Sequence, residues 1–366
     1  MQTLRFKAEE DGNGHLLAQA ARLLREGALV AFPTETVYGL GANALDENAV
    51  RHIFAAKGRP ADNPLIVHIA DRSELHGLVA SVPDVALRLM DAFWPGALTL
   101  LFRKSSLVPD VVTAGLDTVG VRMPIHPVAL ELIRQAGVPV AAPSANRSGR
   151  PSPTTAAHVW EDMQGRIPMI VDGGACQVGV ESTVLDVTVE PPMILRPGGV
   201  TRVRLERVIG RVALDPALTG EAVRPRAPGM KYTHYAPKAP MTLYVGNPAA
   251  VEARILEDAT RGIAQGKRVG ILCTHETKQT YLEHLQPLSG EMAALSAGRR
   301  GDPRSVAAGV FSALRRFDDE HVDIILAEGH DEGGVGHAVM NRLRKAAGGH
   351  IVHCGDDSTP REGASS

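Results

Sequence analysis

Short apolar runs of strand length alternate with helix-period segments along most of the chain, and that alternation confines it to an α/β fold. His15–Glu26 repeats apolar residues at helical spacing and stops at Gly27, where a helix C-terminal glycine belongs. Ala28–Phe32 follows as a short buried strand. Asp46 is placed to cap a helix running to Lys57, with Val50, Ile53 and Phe54 on one face and Gly58 closing it. Further strands are predicted at Leu65–Ile69, Ala97–Phe102, Val119–Arg122, Val138–Ala142 and Met169–Val171. Helices are predicted at Pro83–Phe93, Pro127–Gln135 and Thr155–Met163. Thr183–Val189 and Met193–Leu195 flank the turn-forming Pro191–Pro192. Residues 1–210 thus read as a mixed α/β domain rather than a run of clean βαβ units.

Residues 211–240 change character. They hold Pro216, Pro225, Pro228, Pro237 and Pro240 without sustained apolar periodicity, which marks a linker. Yet APGMKYTHYAPKAP packs tyrosines, a histidine and lysines that a passive spacer does not need. We expect residues 227–240 to fold over a site in the first domain as a lid; the plainer reading is that Tyr232 and Tyr235 only pin two domains together. Beyond the linker, strands at Thr242–Val245, Val269–Cys273 and Ile324–Ala327 alternate with helices at Ala249–Ala264, Asp302–Arg315 and Val335–Ala347. That pattern predicts a smaller, Rossmann-like parallel domain over 241–355, with 356–366 a flexible tail.

The length of 366 residues suits two domains, and 44% apolar against 22% charged residues is ordinary for a globular chain. With 39 Lys+Arg against 41 Asp+Glu the net charge is −2, which argues against a general polyanion binder, and stable nucleic-acid binding is not expected. Only 4% aromatic residues argue against a base-stacking platform. Cys176, Cys273 and Cys354 lie far apart without a CxxC pair, which excludes a zinc ribbon and fits a reducing compartment. No apolar run approaches 18 residues and the N-terminus lacks a signal-peptide core, so a soluble, cytoplasmic protein is expected.

There is no GxxxxGK[ST], no HExxH and no GxSxG, and GVGHAV at 334–339 lacks the third glycine of a dinucleotide fingerprint. What stands out is polar chemistry where strands end: PTETVYGLG (33–41), KGRPADNPL (57–65), TVGVRMP (118–124), APSANRSGRPSPT (142–154), VESTV (180–184) and RPGG (196–199). Ligands of open α/β sheets collect at the carboxyl ends of strands, where loops converge over a rigid floor. These segments offer Lys57, Arg59, Arg122 and Arg196 beside the hydroxyls of Thr34, Ser144, Ser152 and Ser182, an inventory for binding anions. Taken singly, Lys57 reads as a helix-end cation, Ser144 and Asn146 as turn formers, and His68 as a satisfied strand residue. Six such segments beside strands within about 170 residues make a site the better reading, one suited to neutralising charge and positioning substrates.

These motifs resemble, in order and spacing, the threonylcarbamoyl-AMP synthase family of YrdC-like proteins. Its KxR…SxN signature reads here as Lys57, Arg59, Ser144 and Asn146, which the resemblance makes the catalytic set. The likeness covers residues 10–210 strongly, and THYAPKAP with the C-terminal α/β domain matches the family's longer form. The resemblance implies that L-threonine, bicarbonate or carbon dioxide, and ATP give threonylcarbamoyl-AMP and pyrophosphate. That product serves the threonylcarbamoyl modification of the adenosine next to the anticodon in tRNA, by hand-off to a tRNA threonylcarbamoyl transferase complex.

Carried over position by position, threonine meets Thr34, His68, Arg122, Ala142 and Ser182, with Arg122 on its carboxylate. ATP meets Arg59, Asn63, Thr118, Ser144, Ser152, Arg196 and Tyr235, while Lys57 helps neutralise phosphate. Magnesium is expected with ATP, held by the triphosphate and water rather than by a carboxylate cluster. Two other readings stand beside this one. An RNA-binding module could use the same basic concavity, against the net charge of −2. A carbamoyl-transfer enzyme of the hydrogenase-maturation type would carry acylphosphatase and zinc-finger segments, and no CxxC is present.

Overall fold

The computed structural model describes residues 1–12, 14–218, 235–288 and 292–355. Two sheets organise it. The larger runs in the order Leu4–Lys7, Met169–Asp172, Val30–Phe32, Gly39–Asn43, Val140–Ala141, Ile66–His68, Thr118–Arg122, Leu98–Arg103, Thr183–Asp186, Met193–Arg196 and Ala213–Leu214. Parallel and antiparallel pairs mix within it: Ile66–His68 runs parallel to Thr118–Arg122 and antiparallel to Val140–Ala141. The smaller sheet is parallel throughout, in the order Met292–Gly298, Val269–Thr274, Ile324–Glu328, Met241–Gly246 and Ile351–Cys354. This is the mixed α/β sheet plus Rossmann-like unit that the residue pattern predicts.

The reasons are local first. Asp46 caps the helix Glu47–Lys57 by accepting from the amides of Asn48 and Ala49, and Gly58 closes it at a φ of 61°. Asp302 accepts from Arg304 N to start Pro303–Asp319, and Asn247 caps Pro248–Ala264, each with proline in its first turn. In the smaller sheet, alternate residues face opposite layers. Leu243, Leu272 and Ile325 meet Val310, Phe311 and Leu343, while Tyr244, Ile271 and Leu326 meet Ile255 and Tyr281. Helices therefore cover both faces, as a parallel sheet requires.

Several elements escape the residue pattern. Gly39–Asn43 is a strand of GLGAN, central to the large sheet and free of β-branched residues. Gly41 is required there because a Cβ would lie 2.9 Å from the Phe32 ring and 2.8 Å from Val140. Leu4–Lys7 is an edge strand with only Phe6 buried. His275–Leu285 is a helix, and Met292–Gly298 and Ile351–Cys354 are strands. Ala213–Leu214, inside the expected linker, pairs with Met193–Arg196 and so extends the first sheet past residue 210. Of the expected lid, residues 235–240 are described; 227–234, with Tyr232, lie outside the described residues, as does the tail 356–366.

The two units share one packed boundary. Val37 and Val180 of the first join the cluster built on Phe311, Val310 and Leu314 of the second. Gly179, at a φ of 76°, lets that backbone close on the helix Pro303–Asp319, where a Cβ would stand 2.3 Å from Ala307 O. Arg315 crosses the boundary to Asp162 Oδ2 at 2.6 Å and to Pro151 O at 2.6 Å, with both charged groups buried.

Candidate active site

The segment after Val30–Phe32 is a hydroxyl-stabilised turn. Thr34 Oγ1 donates to Val37 O at 2.6 Å and accepts from the amides of Thr36 and Val37 at 3.2 and 3.3 Å. It presents Glu35 and Thr36 to Arg122, which ends its strand beside His68 because the register pairs His68 with Arg122. The buried Arg122 guanidinium donates to Glu35 Oε1 at 2.6 Å, Thr36 Oγ1 at 2.9 Å and Gly96 O at 3.2 Å. Among the described residues three of its five N–H groups are thereby used and two remain, enough for a carboxylate.

A second wall is the loop 142–152. Ser144 Oγ donates to Asn146 Oδ1 at 2.5 Å, and Asn146 Nδ2 donates to Arg147 O and Arg150 O at 2.8 and 2.9 Å. Lys57 is buried behind this loop, its ammonium donating to the carbonyls of Ser144 and Asn146. Arg150 is held by Asp162 and, from the second unit, by Asp318 at 3.2 Å.

The third wall joins Ser182 to Arg196. Arg196 donates to Ser182 O from Nε at 3.1 Å and from Nη2 at 2.9 Å, and Nη2 also reaches Ser182 Oγ at 3.1 Å. Glu181 accepts from Ser152 Oγ at 2.6 Å and from Arg342 Nε at 2.8 Å. Tyr235 closes this side, buried, at a φ of 68°, stacked on Phe311 with centroids 5.1 Å apart and with the Arg342 guanidinium 5.6 Å over its ring.

The walls enclose a concave cavity that opens to solvent. Arg59, Arg122, Arg150 and Arg196 line it with one carboxylate, Glu181, which is ion-paired to Arg342; Glu35, ion-paired to Arg122, stands behind the lining. Burial, with Arg122 nearby, brings the His68 imidazole down to about 3, so the ring is neutral; its Nδ1 has no partner among the described residues. Burial also lowers Arg196, to about 10, and raises Tyr235 to about 12. Burial works to raise Glu181, but Arg342 and Arg196 outweigh it and bring the carboxyl to about 2.

Of the residues expected at the site, Thr34, Arg59, His68, Arg122 and Ala142 line the cavity. So do Ser144, Asn146, Ser182, Arg196 and Tyr235. Four stand outside its lining. Lys57, expected to neutralise phosphate, is instead spent on the loop carbonyls, and burial with Arg59 alongside drives its pKa well below the usual lysine value. Ser152 is fully buried and reaches the cavity through Glu181. Asn63 is buried with neither amide atom partnered among the described residues, and its carbonyl accepts from Arg59 at 3.2 Å. Thr118 begins the strand that Arg122 ends.

Glu35, Thr36, Arg150 and Glu181 belong to the site without having been singled out from sequence. All four sit inside the quoted segments, Glu35 and Thr36 in PTETVYGLG, Arg150 in APSANRSGRPSPT and Glu181 in VESTV, beside residues that were. Arg342 carries no local signal, because its partner is 161 residues away.

The chain that carries this cavity of arginines and hydroxyls on a mixed sheet falls in the Sua5/YciO/YrdC class of α/β protein. The model for that class, described as telomere recombination, matches residues 22–198, and one described as threonylcarbamoyl-AMP synthase, C-terminal domain, matches residues 200–348. Threonylcarbamoyl-AMP synthase of Bacillus subtilis (strain 168) is 52% identical over 341 residues, covering 93% of this chain and 95% of that one. The enzyme of the same name from Pyrococcus abyssi is 52% identical over 335 residues, covering 91% and 94%. The crystal structure of P. abyssi Sua5 complexed with L-threonine superimposes with a TM-score of 0.89 at 48% identity, covering 96% of this chain and 99% of that one. The chain belongs to the threonylcarbamoyl-AMP synthase family, in its two-domain form.

Proposed function

We propose that this protein joins L-threonine, carbon dioxide or bicarbonate, and ATP into threonylcarbamoyl-AMP with release of pyrophosphate, feeding the threonylcarbamoyl modification of tRNA adenosine. The observation that carries the reading is Arg122: a buried guanidinium, fixed on three sides, with two N–H groups left beside a neutral histidine and Ser182. Threonine's carboxylate takes that fork, and Thr34, His68, the Ala142 backbone and Ser182 hold its amine and hydroxyl. ATP lies along Arg59, Ser144 and Arg196, with Tyr235 beside them; Asn63, Thr118 and Ser152 act from behind the lining, Asn63 through Arg59, Ser152 through Glu181 and Thr118 at the start of Arg122's strand. Lys57 and Asn146 serve the reaction by fixing the loop that presents Ser144.

Threonine's amine adds to carbon dioxide, forming an N–C bond and releasing a proton to solvent. A carbamate oxygen then bonds to the α-phosphorus, the bond to the bridging oxygen breaks, and pyrophosphate departs with the electron pair. The nucleophile is already an anion, so catalysis falls mainly to the arginines, which lower the repulsion between carbamate and triphosphate and stabilise charge as it moves. Among the described residues no group of three or more His, Cys, Asp or Glu is placed to hold a metal, so magnesium would travel on the triphosphate. No described helix is long and apolar enough to cross a membrane; the cytoplasm as site of action and a tRNA threonylcarbamoyl transferase complex as recipient belong to the same proposal. The test is pyrophosphate release with each substrate omitted in turn. Release that needs threonine, ATP and bicarbonate together is expected; robust threonine-dependent release in carbon-dioxide-depleted buffer would mean ordinary amino-acid adenylation and would overturn the reading.

A further inference from the structure

We propose that Arg342, on helix Gly336–Ala346 of the second unit, is a positioning residue for the cavity: it takes the charge of Glu181 on the wall that carries Arg196, and so keeps a buried anion from opposing the phosphates of ATP. The inference rests on the functional reading above and assigns the C-terminal unit a part in that site. Helix Gly336–Ala346 packs with Val339 and Leu343 in the second core, while Arg342 leaves it at 0% exposure for the first unit. There Nε donates to Glu181 Oε2 at 2.8 Å and Nη1 to Pro197 O at 2.9 Å, with Asn341 Oδ1 at 3.0 Å.

Both contacts fall on the wall that carries Arg196 and Ser182. Pro197 directly follows Arg196, and Gly198 packs so tightly under residues 181–183 that a Cβ would lie 2.3 Å from Glu181 O. Arg342 therefore fixes the two backbone stretches that face each other across that wall. Its charge matters as much as its grip. Glu181 is a buried carboxylate lining a cavity that must accept a polyanion, and Arg196 is its other close cation. With Arg342 in place the carboxylate has its own guanidinium and its second oxygen accepts from Ser152. Without it, a buried anion is left to draw Arg196 toward itself and to repel phosphate. Tyr235, under the same guanidinium, ties the segment before the second sheet to this arrangement. Lys345, one turn further along the helix, adds positive charge on that side, lowered to about 8 by burial with Arg342 and Arg196 near and Glu181 opposing.

A residue that merely glued the two units would affect stability alone. The experiment therefore measures the dissociation constant of ATP by calorimetry, with the thermal midpoint, for wild type, Arg342→Lys, Arg342→Met and Arg342→Met/Glu181→Gln. Arg342→Met is expected to weaken ATP at least tenfold, Arg342→Lys less, and the double variant to recover to within about threefold of wild type. Glutamine carries no charge to neutralise and still accepts from Ser152. Should Arg342→Met fail to fold, the double variant, which leaves no buried carboxylate uncompensated, gives the reading. ATP affinity unchanged in Arg342→Met, or a double variant weakened tenfold or more, overturns the proposal. A wild type that binds ATP but shows no bicarbonate-dependent pyrophosphate release refutes the reaction and leaves these ratios standing; one that fails to bind ATP refutes both.

Discussion

Arg122→Lys is the sharpest probe of how threonine is held. Alanine is a poor choice, because it strands the buried Glu35 carboxylate that now sits 2.6 Å from the guanidinium, and breaking a buried pair costs about 3–5 kcal/mol of stability. Lysine keeps the charge opposite Glu35 but offers three donors from one point instead of a planar fork. Three of the five arginine N–H groups already go to Glu35, Thr36 and Gly96, so the ammonium cannot satisfy these and also bind a carboxylate at two points. Losing one charge-assisted hydrogen bond to substrate removes about 1.5–3 kcal/mol, or roughly 10- to 150-fold in kcat/KM for threonine. The KM for ATP should move less than about threefold, since no contact between Arg122 and the Arg59 and Ser144 walls is needed. The assay is pyrophosphate release with one substrate varied and the others saturating, beside a thermal midpoint to show that the fold is kept. Equal losses for threonine and ATP would refute the assignment.

Two further outcomes follow from burial and backbone. His68 and His158 are held neutral, at about 3 and about 4, chiefly by burial, whereas an unfolded histidine takes up its proton near 6.5. The stability this gives is complete above 6.5 and is lost as pH falls toward the folded values, at about 1.4 kcal/mol per pH unit for each. Denaturant midpoints should therefore drop between pH 7 and pH 5, and a flat profile would contradict the burial of these rings. Gly179→Ala puts a methyl 2.3 Å from Ala307 O at a φ of 76°, so it should destabilise by more than about 1 kcal/mol and loosen the boundary between the units, read as a lower unfolding midpoint and faster proteolysis.

What the sequence shows of this molecule is what local chemistry controls. Asp46, Asp302, Gly27 and Gly58 mark helix ends because caps and left-handed turns act within a few residues. The strand Met292–Gly298 hides because MAALSAG is dominated by Met, Ala and Leu, which favour helices, and its partner strand Val269–Thr274 overrides them. Gly39–Asn43 hides for the opposite reason, since glycine there answers a close approach of Phe32 and Val140 that no local pattern announces. The site divides along the same line. Arginines and hydroxyls at strand ends are visible as a set, so most of the cavity lining can be named in advance. Which of them touches a ligand and which supports a loop depends on contacts across the fold. Lys57 on the Ser144 carbonyl spans 87 residues, Arg315 on Asp162 spans 153, and Arg342 on Glu181 spans 161. Spacing in the chain carries none of that.

The same electrostatics bear on how the rate should depend on pH. A general base poised near neutrality is the usual device for making a nucleophile, and it leaves a limb in the rate profile at its own pKa. The cavity's histidine is not so poised: burial brings His68 to about 3, far from accepting a proton in the working range. Glu181 sits at about 2, Arg196 at about 10 and Tyr235 at about 12, so none of the three changes charge between pH 6 and 8; Lys345, brought down to about 8, titrates at the upper edge of that window and outside the lining. The proton that must leave is lost when threonine's amine meets carbon dioxide, and that step needs the free amine rather than a base at the phosphorus. With dissolved carbon dioxide held constant, kcat/KM for threonine should rise with pH as the free amine becomes more abundant, without an inflection near 6–7. His68→Gln, which keeps a hydrogen-bonding side chain, should lower the rate by weakening threonine yet leave the shape of the profile unchanged. An acid limb near 6–7 that disappears in His68→Gln would show that the ring takes a proton during turnover. In that case binding must raise its pKa by several units, and the account of a site that works by fixed charge alone would be wrong.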